Sequence, residues 1–151
     1  SGDGVVRRQV LEALLGIKGH RAQLEHPERP TVATDAPLLA HQLKRIARRV
    51  PMGLARTGTV ANNSSGDIFL AFSTAYGLDF AGPGVVSVDM LAFFLTDPLL
   101  DATVQATEEA IVNALFRATT VVGRDGNTRE ALPIERVTEL LRAAGRLDNG
   151  R

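Results

Sequence analysis

Apolar positions along the chain follow two rhythms, one recurring every three to four residues and one running unbroken through short stretches. Val6, Val10, Leu11, Leu14, Leu15 and Ile17 recur near helical spacing, with Arg7, Arg8 and Glu12 between them, which predicts an amphipathic helix over 5–17 ended by Gly19. Residues 20–30 are polar and read as a linker, because Pro27 and Pro30 remove N–H donors and restrict the residues before them. Thr31–Thr34 reads as a short strand. Asp35-Ala36-Pro37 then offers a capping carboxylate and a first-turn proline, so a helix is expected to start there. Leu39, Leu43, Ile46, Ala47 and Val50 mark its buried face, with Lys44, Arg45, Arg48 and Arg49 mostly on the other side. Pro51 and Gly53 are expected to kink or end it, leaving Leu54–Arg56 as a remnant turn.

The second half begins at the turn Asn62-Asn63-Ser64-Ser65-Gly66-Asp67, which runs into Ile68–Thr74, a stretch of buried-strand composition. Tyr76–Gly84 is loop-like, and Val85–Val88 reads as another short strand. Asp97-Pro98 repeats the cap-then-proline signal, and Leu100, Val104, Ile111 and Leu115 keep one helical face apolar to Thr119. Gly123–Thr128 reads as a polar turn. Ile134, Val137, Leu140 and Leu141 predict a last helix over 133–144, stopped by Gly145, with 147–151 as a frayed tail.

Composition narrows the classes available. The chain has 151 residues, 44% of them hydrophobic, enough for one globular domain with its own core. No apolar run reaches the roughly 18 residues of a membrane-spanning helix, and the first 20 residues lack the apolar centre of a signal peptide. A soluble protein with no membrane role is expected; the compartment stays open, with the cytoplasm favoured. With no cysteine, disulfides, thiolate metal sites and a cysteine nucleophile are excluded. His20, His26 and His41 lack the close helical spacing of a metal site, so neither metal nor cofactor is expected.

The zero net charge hides a segregation. Residues 1–56 carry ten Lys/Arg against five acids, whereas 57–116 carry seven acids and no base. A basic first third suits nucleic acid, but one Tyr and no Trp leave few stacking platforms, so nucleic acid is not the expected partner. Complementary surfaces within one assembly explain the pattern equally well. The basic row at 44–49 reads as a solvated helix face, with phosphate or an acidic partner as the other reading.

Two groups of residues carry candidate chemistry. Ser65-Gly66-Asp67 gathers a hydroxyl, backbone N–H groups and a carboxylate in one turn, although the same residues make ordinary turns. Glu108 and Glu109 form a carboxylate pair, yet neighbours on a helix point about 100° apart, which favours a solvated face.

Taken in order, Val32-Ala33-Thr34-Asp35-Ala36-Pro37-Leu38-Leu39, Gln42-Leu43-Lys44-Arg45-Ile46-Ala47-Arg48-Arg49 and Gly53-Leu54-Ala55-Arg56-Thr57-Gly58 resemble one family. It is the DmpA-like L-aminopeptidase/D-esterase family, which includes the β-peptidyl aminopeptidases. Ser65–Thr74 and Gln105–Leu115 continue the resemblance, which covers about Thr31 to Leu147. It implies three segments: 1–30, a helix and linker outside the family; 31–147, the family's β-chain region; and 148–151, a tail.

The resemblance implies an α/β fold, a layered αββα sandwich like that of N-terminal-nucleophile hydrolases, of which this chain is only part. It implies a precursor that cuts itself into α and β chains, exposing a serine whose own α-amine acts as general base. The implied reaction releases the amino-terminal residue of a short peptide, amide or ester through an acyl-enzyme. Ser65 matches the serine that hydrogen-bonds near that amine, and Asp67 the acidic residue that orients the network. The implied partners are the α chain or another copy of the chain, in an oligomer.

The sequence departs from the family before Thr31. Counting back to the nucleophile lands near Pro27, and no Ser, Thr or Cys lies between Ser1 and Thr31. Ser1 precedes a helical pattern instead of a strand, and Thr31 would attack only if processing exposed it. A non-catalytic scaffold or binding subunit is therefore the alternative.

Overall fold

The computed structural model describes residues 20–23, 30–61, 63, 66–77, 82 and 84–147. The predicted helix over 5–17 and the tail at 148–151 lie outside these residues. The chain forms two compact units, one up to Ile111 and one from Val112 onward.

The first unit is built on a three-stranded sheet in the order β1-β2-β3. β1 (His20–Gln23) runs antiparallel to β2 (Thr31–Thr34), with His20 opposite Thr34 and Gln23 opposite Thr31. The linker expected over 20–30 is thus corrected: its first four residues are a strand. Pairing with β2 satisfies backbone groups whatever the side chains, so a polar strand leaves no hydrophobic pattern to read.

β3 (Leu70–Ser73) runs parallel to β2, with Thr31 opposite Leu70 and Thr34 opposite Ser73. Amides of Leu70 and Thr74 extend the ladder to the carbonyls of Pro30 (3.2 Å) and Thr34 (2.9 Å). The expected strand over 68–74 is therefore shorter, and it is buried on one face only. Val32 and Thr34 are buried, and Ala71 and Ser73 lie half-buried beside them. Leu70 and Phe72, on the other face, are 57% and 43% exposed. A run such as Ile-Phe-Leu-Ala-Phe suits a strand covered on both sides, but among the described residues only one face is buried.

α1 (Ala40–Ala47) starts five residues later than Asp35. The amide of Ala36 donates to Thr34 Oγ1 (3.2 Å) and that of Leu38 to the Ala36 carbonyl (2.8 Å), so Asp35–Leu38 form a turn. Ala36 precedes a proline, which disfavours helical backbone there. The cap comes instead from inside the helix, where buried Gln42 accepts the Leu39 amide through Oε1 (3.1 Å) and donates through Nε2 to the Leu91 carbonyl (2.7 Å).

The helix ends at Ala47, and α2 (Val50–Arg56) follows with Pro51 in its first turn, so Leu54–Arg56 are helix and not a remnant. Pro51 starts a helix here because a first-turn amide has no intrahelical acceptor to lose. Gly53 is buried where α2 meets α3 (Asp97–Arg117): a β-carbon on it would sit 2.6 Å from both Thr107 Cβ and the Val104 carbonyl oxygen.

The core gathers Val32, Ala36, Leu38, Ile46, Val50, Leu99 and Leu100. On α3 the buried positions are Leu99, Leu100, Thr103, Val104 and Thr107, so the expected apolar face is half right. Leu100 and Val104 are buried, Ile111 is half-buried and Leu115 exposed. Two threonines are buried because their hydroxyls donate within the helix, Thr103 to Leu99 (2.7 Å) and Thr107 to Thr103 (2.8 Å). Val85–Val88, expected as a strand, has no regular structure and is exposed.

In the second unit, β4 (Val121–Val122) and β5 (Thr128–Arg129) form an antiparallel hairpin around the expected polar turn. Asp125 and Gly126 take left-handed backbone (φ 59° and 74°), and the Gly123 amide bonds the Asn127 carbonyl (2.7 Å). α4 (Ile134–Ala143) follows and stops at Gly145, φ 64°. None of the described residues from 112 onward is buried.

Candidate functional site

The parallel pairing of β2 with β3 brings two chain segments to one edge of the sheet. Pro30 is fully buried, and its carbonyl accepts the Leu70 amide, so the starts of β2 and β3 are joined directly. Asp67 stands three residues before Leu70 and is exposed. The Gly66-Asp67 part of the turn therefore enters β3 at the edge where the chain before Pro30 enters β2. This is a consequence of parallel register; in an antiparallel pair the two starts would lie at opposite ends. Ser65 lies outside the described residues.

Thr31, the first residue of β2, is half-buried on the face shared with Leu70, and its amide nitrogen is part of the peptide bond to Pro30. Ser1 lies outside the described residues. Pro30 is the residue that sequence reasoning missed at this edge. Its sequence signal was that of a linker proline, and only the β2–β3 register gives its carbonyl a partner.

The opposite end of the sheet is closed by hydroxyls. Ser73 Oγ donates to the Ala36 carbonyl (2.6 Å) and accepts the Ala75 amide (3.1 Å), while Thr74 Oγ1 donates to the Thr34 carbonyl (3.3 Å). These bonds fix the turn after β2.

Other candidates resolve into structure. Glu108 pairs with Arg56 at 3.1 Å, both about half exposed, and Glu109 is exposed, so the two acids do not act as a carboxylate pair. In the basic row, Lys44 and Arg48 are exposed, whereas Arg45 and Arg49 are half-buried, so the face is solvated only in part. The Arg45 guanidinium lies 4.6 Å from the Phe93 ring centroid and donates to Thr96 Oγ1 (3.4 Å). His41 is exposed on α1, and among the described residues no group of His, Asp and Glu is placed to hold a metal ion. No helix among them is long and apolar enough to cross a membrane.

The fold is α/β, and its solved neighbours share it. The PH0078 protein of Pyrococcus horikoshii OT3 is 46% identical, with a TM-score of 0.74 over 79% of this chain and 34% of its own. The L-aminopeptidase D-Ala-esterase/amidase of Ochrobactrum anthropi, a prototype for the serine aminopeptidases and a variant of the Ntn hydrolase fold, is 40% identical with a TM-score of 0.71, over 79% and 34%. The chain thus has part of an Ntn-hydrolase-type fold.

Residues 30–129 match peptidase family S58, and the chain belongs to that family. Beta-peptidyl aminopeptidase BapA of Sphingosinicella microcystinivorans is 44% identical over 117 residues, which are 77% of this chain and 30% of BapA. The chain therefore spans about a third of the length of the relatives it matches.

Proposed function

We propose that this chain is the β-chain part of a serine aminopeptidase that processes itself, and that it releases amino-terminal residues from short peptides, amides or esters. The observation that carries this reading is the family match over 30–129, which includes both the β2 edge and the Ser65–Asp67 turn. The joined starts of β2 and β3 support it, because a nucleophile placed ahead of β2 would stand at the same edge as that turn. In this reading Ser65 hydrogen-bonds near the nucleophile's amine, Asp67 orients that network, and turn amides stabilise the oxyanion.

The chain acts in an assembly with an α chain or a second copy. Support comes from the uncovered sheet face, where Leu70, Phe72 and Ile68 are exposed, since such a face is covered in folded proteins. The alternative, a scaffold subunit without catalysis, starts from the absence of Ser, Thr and Cys between Ser1 and Thr31, and the family match and the aminopeptidase relatives do not favour it.

Hydrolysis of an amino-acid p-nitroanilide panel decides between them, using the purified chain alone and with the part of the Pyrococcus horikoshii protein that it does not match. The catalytic reading expects turnover that falls about 100-fold or more in Asp67→Asn. Loss in Ser1→Ala would place the nucleophile at Ser1. An assembled complex with no turnover would leave the scaffold reading.

A further inference from the structure

Two helix faces of opposite charge lie in the first unit with most of their charges unpaired. From Ala36 to Arg56 the chain carries five bases and no acid, and from Thr57 to Phe116 seven acids and no base. Between described residues a single ion pair, Arg56 to Glu108, joins the two stretches. Arg45 turns instead to the Phe93 ring and to Thr96.

The remaining charges form two rows. On α1, His41, Lys44 and the C-cap residue Arg48 are exposed within about 60° of one another around the axis. On α3, Asp101 and Glu109 are exposed, about 80° apart around the axis and about 12 Å apart along it. His41 to Arg48 spans about 10 Å, so the rows match in length. Helix ends account for part of the pattern, since bases suit the last turn of α1 and Asp97 suits the first turn of α3. They do not account for His41 in the first turn of α1 or for Glu109 in the middle of α3.

We propose that the His41-Lys44-Arg48 face of one copy docks on the Asp101-Glu109 face of a second copy, with the reciprocal contact made at the same time. This rests on the reading above that the chain works in an assembly, and it names one partner and one surface for it. The occupant follows from charge. α1 carries no acid and α3 no base before Arg117, so like faces repel and only α1 against α3 attracts. A twofold contact uses each face once per copy, which neutralises both rows together.

The test is sedimentation velocity on the full chain and on two charge-reversed forms, Lys44→Glu with Arg48→Glu and Asp101→Lys with Glu109→Lys. The parent is expected to self-associate at low salt and to weaken about tenfold or more toward 1 M salt, where screening acts within about 3 Å. Each reversed form should self-associate about tenfold more weakly or less, because it presents two faces of one sign. Mixed together, the two forms should associate one-to-one as tightly as the parent, since both contacts again pair opposite charges; such recovery needs both forms to be folded. A mixture that stays as weak as its components, while both keep the parent's helical circular dichroism, overturns the proposal. A parent that is monomeric at low salt also overturns it and leaves the aminopeptidase reading to the p-nitroanilide assay. Association that neither salt nor reversal changes overturns it in favour of contact through apolar surface.

Discussion

Gly53→Ala tests the close approach of α2 to α3. The added β-carbon would stand 2.6 Å from Thr107 Cβ, 2.6 Å from the Val104 carbonyl oxygen and 2.9 Å from Thr107 Cγ2. Ordinary carbon contacts begin near 3.5 Å, so α2 and α3 must separate by about 1 Å. Two effects oppose each other. Alanine favours the helix by about 1 kcal/mol over glycine, whereas overfilling a packed contact costs about 1–3 kcal/mol. The steric term wins, because the obstacles are a backbone oxygen and the β-carbon of a branched residue, and neither can swing aside. The separation also disturbs the layer formed by Leu99, Leu100 and Val50. A net loss of about 2 kcal/mol is expected. Urea unfolding of the purified protein, followed by far-ultraviolet circular dichroism, reads it as a lower midpoint with an unchanged slope. Gly77→Ala is the control, because its β-carbon meets open space. A Gly53→Ala protein as stable as the parent would refute the close α2–α3 contact.

Two further outcomes are expected. Gln42→Ala strips the Leu39 amide and the Leu91 carbonyl of their partner, and should cost about 2 kcal/mol in the same assay, with faster exchange at the start of α1; unchanged exchange there would exclude the cap. Tyr76 is the only tyrosine, and there is no tryptophan, so phenolate absorbance reports on it alone. Burial, and then the Asp89 carboxylate, hold its pKa above the ordinary phenol value. Because the raised form is the protonated one, its contribution is complete below the unfolded value of about 10 and is lost as pH rises through the folded value. Asp89→Asn should move the titration downward, and an unmoved curve would remove Asp89 from the cause.

Much of the first unit was legible one element at a time. Thr31–Thr34 and the helix after Asp97 follow from apolar spacing and from capping and proline signals, which are local. The family resemblance was legible because several such segments occur in one order. The late start of α1 was less so, since its cap is a glutamine inside the helix that is held by Leu91, 49 residues away. The polar strand β1 was invisible, because backbone pairing leaves no trace in side-chain pattern.

The candidate site divides in the same way. Local chemistry picked out Ser65 and Asp67, since a turn of small polar residues before a strand is written in neighbouring positions. That Gly66-Asp67 lead into β3 at the end where β2 starts was decided only by parallel register, through the Leu70 amide on the buried carbonyl of Pro30. The inward turn of Arg45, the pairing of Glu108 with Arg56 and the glycine between α2 and α3 belong to the same class. Each depends on residues far apart in the chain. The sequence by itself determines where helices and strands can form and which residues bear chemistry; the tertiary structure decides what those residues meet, because contact distance is set by packing and not by separation along the chain.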